Sequence, residues 1–201
     1  MLVIKNVLTP EECSSIIKEY ERRRITAGIE TSKNVDHKQV ETSNYTVVTL
    51  PLTSPVYNLI IDKMSLGLQA WVDHLRSFGC FHTDVLVKNL KHPHAVRIMK
   101  YQQGQFIHPH TDWSPFVYAS ITLNLNRDYK GGRFLFMKGL FEAELDQGDV
   151  LVFPADPFWV HEVTAITEGV RYSVNSFVMD REPSQVSADA GEIYKGIFKC
   201  L

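Results

Sequence analysis

The hydrophobic pattern of the chain changes character near residue 80. Before that point apolar residues recur at helical spacing. Cys13, Ile16, Ile17 and Tyr20 form one stripe, because residues three and four apart share a helix face. Just ahead of it, "LTPEEC" carries a helix start: Thr9 as N-cap, Pro10 in the first turn, and Glu12 placed to close a capping box. A second stripe begins after Ser54-Pro55, runs through Val56, Leu59, Ile60, Met64, Leu68, Trp71, Val72 and Leu75, and ends at Gly79. The stretch between them, "ITAGIETSKNVDHKQVETSNYTVVTL", starts polar and aperiodic. It is long for a connection in a compact domain, which suggests a lid or binding loop.

From residue 82 the pattern becomes short runs rich in Val, Ile, Phe and Tyr: "DVLVKNL", "HAVRIMKY", "VYASITLNL", "GRFLFM", "LFEAEL", "DVLVFP", "WVHEV" and "VRYSVNSFVM". Gly, Pro, Asn and Asp punctuate them, as strand boundaries require. The pattern predicts a mainly β protein with flanking helices, a sandwich or jelly roll with the N-terminal helices packed on one outer face. A single domain is expected over residues 1–201. Residues 1–80 supply helical support and a polar lid loop, 82–179 the β core, and 181–201 a tail. In that tail Ile193, Tyr194, Ile197 and Phe198 could dock as a last helix.

Bulk properties narrow the class. A chain of 201 residues buries roughly 70% of its unfolded surface and needs no covalent staples. Hydrophobic residues make up 44% and charged residues 22%, as in soluble globular proteins. A net charge of −2 lacks the basic footprint of a nucleic-acid binder. Cys13, Cys80 and Cys200 are odd in number and widely spaced with no CxxC. That argues against a disulfide framework or a cysteine zinc site and fits a reducing compartment. No signal-peptide pattern heads the chain, and no apolar run approaches the ~18 residues of a membrane span. The expectation is a cytoplasmic protein acting on a small molecule or peptide, with neither nucleic acid nor membrane as partner and the oligomeric state open.

Candidate chemistry begins at "QFIHPHTDWS", where His108, His110 and Asp112 stand at every second position. Residues two apart on a strand share a face, so His110 and Asp112 can aim into a barrel and hold one ion. Two histidines and one carboxylate, with three open positions, suit non-haem ferrous iron. The second histidine must come from a distant strand, and His161 in "FWVHEVT" is the candidate. Arg171 opens "RYSVNSF". A buried arginine needs a carboxylate or phosphate partner, and a dicarboxylate co-substrate would give it a two-pronged contact. Tyr101 offers a phenol to the same carboxylate. Each residue alone has a plainer reading: a chance H-x-D, a hydrogen-bonded core histidine, a salt-bridged arginine, a core tyrosine.

Together, "YQQGQFIHPHTDWS", "SITLNLNRDYKGGRFLF" and "LDQGDVLVFPADPFWVHEVTAITEGVRYSV" resemble the 2-oxoglutarate- and Fe(II)-dependent oxygenases, in their prolyl 4-hydroxylase-like branch. The similarity spans roughly residues 95 to 179, with a weaker echo at "LTPEEC". It implies a distorted double-stranded β-helix, a cupin-like jelly roll. It implies Fe(II) held by His110, Asp112 and His161, with no ligand role for His108. 2-Oxoglutarate would chelate the metal and extend its C5 carboxylate to Arg171, with Tyr101 nearby and O2 as co-substrate. The implied reaction is hydroxylation of a prolyl residue in a peptide, or of a related amino-acid-like substrate, with release of succinate and CO2. Family members that halogenate carry a small residue in place of Asp112, so the carboxylate favours hydroxylation.

Parity from Tyr101 adds Arg97 and Met99 on one strand, Thr122 with Asn124 on a second, and Ser173 with Asn175 on a third. Asn124 and Ser173 are candidate co-substrate contacts; Arg97, Asn175 and Trp159 are candidate substrate contacts. "KQVETSNY" resembles the Val-Arg-Thr-Ser-like stretch of the family's mobile loop, but Glu41 stands in the arginine's place and would reverse a charge at the substrate mouth. Two rivals from other classes are a cupin-like metal-dependent isomerase or binding module without oxygen chemistry, and a non-catalytic interaction domain. The dicarboxylate anchor of Arg171 and Tyr101 disfavours the first, and the completeness of the site disfavours the second. The nucleic-acid demethylase branch fits worse, because "RYSVNSF" carries no further arginine.

Overall fold

Thr9 starts the first helix by the mechanism its sequence context predicts. Its hydroxyl accepts from the Glu12 amide while the Glu12 carboxylate accepts from the Thr9 amide, and Pro10 needs no hydrogen-bond partner in the first turn. The protein is described here by a computed structural model covering residues 1–30, 45–80, 82–182 and 185. Its helices are α1 (Pro10–Arg23), α2 (Tyr57–Ser77) and α3 (Thr83–Asn89). α2 begins later than Ser54-Pro55 suggests, because the Ser54 hydroxyl donates to the buried Glu19 carboxylate instead of capping the helix.

α3 corrects the reading of "DVLVKNL" as a strand. Strand alternation would turn Leu86, Lys88 and Leu90 to one face, yet Lys88 is exposed. Thr83, Leu86 and Leu90, three and four apart, turn inward instead. A short apolar run fits either period, and burial decides it.

The strands in chain order are β1 (Leu2–Ile4), β2 (Gly28–Glu30), β3 (Tyr45–Thr49), β4 (His92–Tyr101), β5 (Ile107–His110), β6 (Val117–Asn124), β7 (Tyr129–Gly131), β8 (Phe134–Phe136), β9 (Phe141–Ala143), β10 (Val150–Pro154), β11 (His161–Val163), β12 (Ile166–Gly169) and β13 (Arg171–Met179). They form an antiparallel major sheet ordered β1-β10-β6-β13-β4-β3-β2, a minor sheet ordered β5-β11-β8-β9, and a β7-β12 pair. This is the expected mainly β fold, a double-stranded β-helix. The N-terminal part contributes more than helices. β1, β2 and β3 extend both edges of the major sheet. Three-residue strands such as β1 and β2 are too short to show a period of two.

Alternation along the central strands splits the interior. Ile98, Ile121, Leu123 and Val174 pack against Ile16, Ile60, Met64 and Trp71 of α1 and α2. Met99, Tyr101, Leu151 and Phe153 turn the other way and meet Phe134 and Phe136 of the minor sheet. The helices therefore seal one face of the major sheet, and the pocket opens between the two sheets. Among the described residues no helix is long and apolar enough to cross a membrane. "KQVETSNY" up to Asn44, and the tail residues Ile193, Tyr194, Ile197 and Phe198, lie outside the described residues.

Candidate active site

His110 ends β5 and His161 opens β11, and the antiparallel register sets them directly opposite each other. Asp112 follows β5 by two residues. His110 Nε2 lies 3.4 Å from one Asp112 oxygen and His161 Nε2 3.5 Å from the other. One donor atom from each residue fits within 4.8 Å of the other two. The tautomers are fixed from behind. His110 Nδ1 sits 2.8 Å from the His108 carbonyl and His161 Nδ1 3.0 Å from the Trp159 carbonyl. A carbonyl only accepts, so each Nδ1 donates and each Nε2 turns its lone pair to the common centre. His108 takes part through its backbone, and its ring meets Phe106 at 4.7 Å.

Electrostatics suit the same centre. Burial disfavours the Asp112 carboxylate, but the His110 hydrogen bond, both imidazoles and the Ser120 hydroxyl outweigh it and bring its pKa to about 2. Burial among Phe134, Phe136 and Phe153 lowers His161 to about 4, against the pull of Asp112. His110 is raised, because Asp112 more than offsets its burial. At neutral pH the cluster therefore holds a carboxylate and at least one neutral imidazole, a donor set suited to a divalent ion.

The same pocket is lined by Arg97, Met99, Tyr101, Thr122, Arg171 and Asn175 from the major sheet and by Tyr45, Ile107, Phe134, Phe153 and Val163. It leaves about 50 Å³ of accessible space, against ~10–15 Å³ for one water on that measure. Arg171 is 1% exposed. One terminal nitrogen donates to Ser173 at 3.3 Å. Among the described residues its Nε and other terminal nitrogen have no partner. Its guanidinium carbon stands 5.3 Å from the Tyr101 ring centroid. Tyr101 is fully buried, and burial pushes its phenol up to about 12, with Arg171 and Arg97 opposing. The phenol thus stays a donor. Leaving guanidinium nitrogens buried without an acceptor is costly, and a carboxylate reaching into the pocket would satisfy them.

The paired glycines of "YKGGRF" make room for that arginine. Gly132 has φ +62°, and a Cβ there would approach Arg171 Cδ at 3.1 Å and Ile166 Cδ1 at 2.6 Å. Arg97 is held by Glu30 and Asn175. Trp159 is half-buried at the edge of the pocket-side cluster and stands edge-on to Phe136 at 5.6 Å. Asn124 lies off the pocket lining, its amide donating to the Asn126 and Asp146 carbonyls and its oxygen accepting from Tyr129. Ser173 touches the pocket only through Arg171. Ser120, which donates to Asp112, is not among the residues expected from the sequence, although the parity of Thr122 and Asn124 extends to it. Tyr45 is not among them either, and no periodicity around it marks it.

Residues 96–179 match the sequence model of the 2OG-Fe(II) oxygenase superfamily. The match covers less than half of the chain's 201 residues. No curated protein matches the chain by sequence. Solved structures with a similar fold include three prolyl hydroxylases. The enzyme from Trichoplax adhaerens, in complex with a hypoxia inducible factor oxygen degradation domain peptide fragment, has a TM-score of 0.66 at 12% identity, over 89% of this chain and 83% of that one. The Pseudomonas putida prolyl-4-hydroxylase has a TM-score of 0.61 at 17% identity, over 89% and 91%. The viral collagen prolyl hydroxylase of Paramecium Bursaria Chlorella virus-1, as its 2OG complex, has a TM-score of 0.61 at 17% identity, over 88% and 94%. The matched core segment thus runs from within β4 to the end of β13 and contains the His110-Asp112-His161 cluster, Tyr101 and Arg171, while the fold likeness extends well beyond it.

Proposed function

We propose that the protein is a 2-oxoglutarate-dependent hydroxylase that uses Fe(II) and O2 and acts on a prolyl residue in a peptide or on a related amino-acid-like substrate. The observation that carries this reading is Arg171, a buried guanidinium with two unpartnered nitrogens in the same pocket as a His-Asp-His cluster. His110, Asp112 and His161 would hold the iron through two Nε2 atoms and a carboxylate oxygen. Arg171 would bind the C5 carboxylate of 2-oxoglutarate, with the Tyr101 phenol as a nearby donor. When bound, iron and 2-oxoglutarate together couple decarboxylation to succinate and CO2 with transfer of one oxygen atom of O2 into a C–H bond.

The chain's own residues supply orientation and dryness. Ser120 fixes one Asp112 oxygen and so sets which lone pairs remain for the metal. Phe134, Phe136 and Phe153 surround His161 and keep water from its ring. Arg97 and Asn175, which line the pocket, and Trp159 beside Phe136 would contact the substrate. A fold neighbour captured with a peptide fragment supports the peptide reading.

The test is anaerobic addition of Fe(II) and 2-oxoglutarate, watching for the weak visible absorption of a metal-chelated keto acid. The wild type should show it and Asp112→Ala should lose it, together with any 2-oxoglutarate turnover to succinate. A wild type that binds metal without this band would favour a cupin-like isomerase or binding module. Succinate release screened over proline peptides, free amino acids and small metabolites then identifies the substrate.

A further inference from the structure

Glu30 lies outside the oxygenase core, on the edge strand β2, yet its carboxylate grips two residues of the pocket wall. One oxygen accepts from the Tyr45 hydroxyl at 2.8 Å and the other from Arg97 Nη1 at 2.7 Å. Both partners line the pocket. Tyr45 is 6% exposed and stacks on Tyr101, with ring centroids 4.8 Å apart and planes inclined by 25°. Tyr101 in turn carries the Arg171 guanidinium at 5.3 Å. A column of contacts thus runs from Glu30 through Tyr45 and Tyr101 to Arg171. The second branch runs through Arg97, whose Nη2 donates to Asn175 Oδ1 at 2.7 Å and whose guanidinium stands 5.1 Å from the Phe177 ring.

Backbone pairing explains why the column depends on Glu30. The register of β3 with β4 covers Thr46 to Thr49 and stops short of Tyr45. Among the described residues Tyr45 is paired only with Glu30, at the last described rung of β2–β3. Both the main chain and the hydroxyl of Tyr45 therefore have the same anchor. A short edge pairing is weak by itself, and a buried phenol without its acceptor would turn toward water.

We propose that Glu30 is a positioning residue of the co-substrate pocket: by holding Tyr45 and Arg97 it keeps Tyr101 and Arg171 in the arrangement that receives the 2-oxoglutarate carboxylate. The proposal rests on the 2-oxoglutarate reading of that pocket. It gives the N-terminal hairpin a part in co-substrate affinity, which the core segment alone does not contain.

The experiment is calorimetric titration of the Fe(II)-loaded protein with 2-oxoglutarate in the absence of oxygen, with Fe(II) affinity and thermal melting measured separately. Glu30→Ala should weaken 2-oxoglutarate binding about tenfold and leave Fe(II) affinity within about twofold. Glu30→Gln keeps an acceptor for Tyr45 and should stay within about threefold of wild type. Tyr45→Phe keeps the ring but loses the link, so it should resemble Glu30→Ala. The double variant should then be no weaker than Glu30→Ala, since the contact that Tyr45→Phe removes is already lost there. Wild-type 2-oxoglutarate affinity in Glu30→Ala overturns the proposal, as does a parallel loss of Fe(II) and 2-oxoglutarate binding. Should Glu30→Ala not fold, wild-type affinity in Tyr45→Phe overturns it. If wild type itself binds Fe(II) but no 2-oxoglutarate, the functional reading falls and this inference with it.

Discussion

On the helix side, β4, β6 and β13 present Val96, Ile98, Ile121, Leu123, Val174 and Val178, all buried against α1 and α2. On the pocket side the alternate positions of the same strands are Arg97, Tyr101, Ser120, Thr122, Arg171 and Asn175. The backbone is shared, so the hydrogen-bonded ladder is common to both faces. What differs is how their side chains are satisfied. The apolar face is completed by the protein's own helices. The polar face keeps unmet donors, above all on Arg171. Because side chains alternate with a period of two, a one-residue slip in any of these strands would exchange the faces. The packing that stabilises the domain thus also fixes the register of the site.

The comparison can be broken from the apolar side first. Leu123 is fully buried in the helix-side cluster. Leu123→Ala should cost about 2–5 kcal/mol of unfolding free energy, the usual range for such a cavity, measured by urea denaturation. Metal and 2-oxoglutarate affinities of the folded fraction should stay at wild-type values. If they fall in step with stability, the two faces are not separable and the division drawn here is wrong.

The polar side should answer in the opposite direction. Arg171→Met removes a buried cation that finds only the Ser173 hydroxyl among the described residues. Loss of a charge-assisted contact should weaken 2-oxoglutarate binding by about 2–3 kcal/mol, roughly thirty- to 160-fold. The ligand-free protein should melt at the same temperature as wild type or higher, because an unpaired buried charge destabilises and sites of function commonly reduce stability. A clearly lower melting temperature with unchanged 2-oxoglutarate affinity would make Arg171 a structural residue.

The sequence carries this partition unevenly. The polar side of β13 is visible in "RYSVNSF" because arginine, serine and asparagine occupy alternate positions of a strand too apolar to be a loop. His110, Asp112 and His161 are visible through spacing and chemistry. Three things are not. β1 is too short to show alternation, and its place beside β10 is a tertiary fact. α3 is ambiguous because seven residues support either period. Tyr45 and Glu30 flank a polar segment, and nothing local links them to a pocket built from residues more than fifty positions away. Long-range pairing brings them there, and one chain read alone has no signal for it.

The smallest effect concerns another buried charge. Glu19 of α1 is 4% exposed, like Arg171, but its carboxylate is fully met by Arg22, Arg23 and Ser54. The Arg22 hydrogen bond, with Arg23 and Ser54 and against burial, brings its pKa from 4.5 to about 2. A carboxyl with a depressed folded-state pKa stabilises above its unfolded value and loses that contribution as pH falls through the folded one. Arg22 is 59% exposed, and solvent screens such a partner, so the contribution at neutral pH is about 1–2 kcal/mol. Glu19→Gln should be less stable than wild type by that amount at pH 7. The gap should shrink as pH drops below 4.5 and close near 2, followed by denaturant midpoints across the range. A gap that stays constant with pH would mean that geometry, not charge, makes Glu19 structural. Satisfied ionisation would then no longer be what separates it from Arg171.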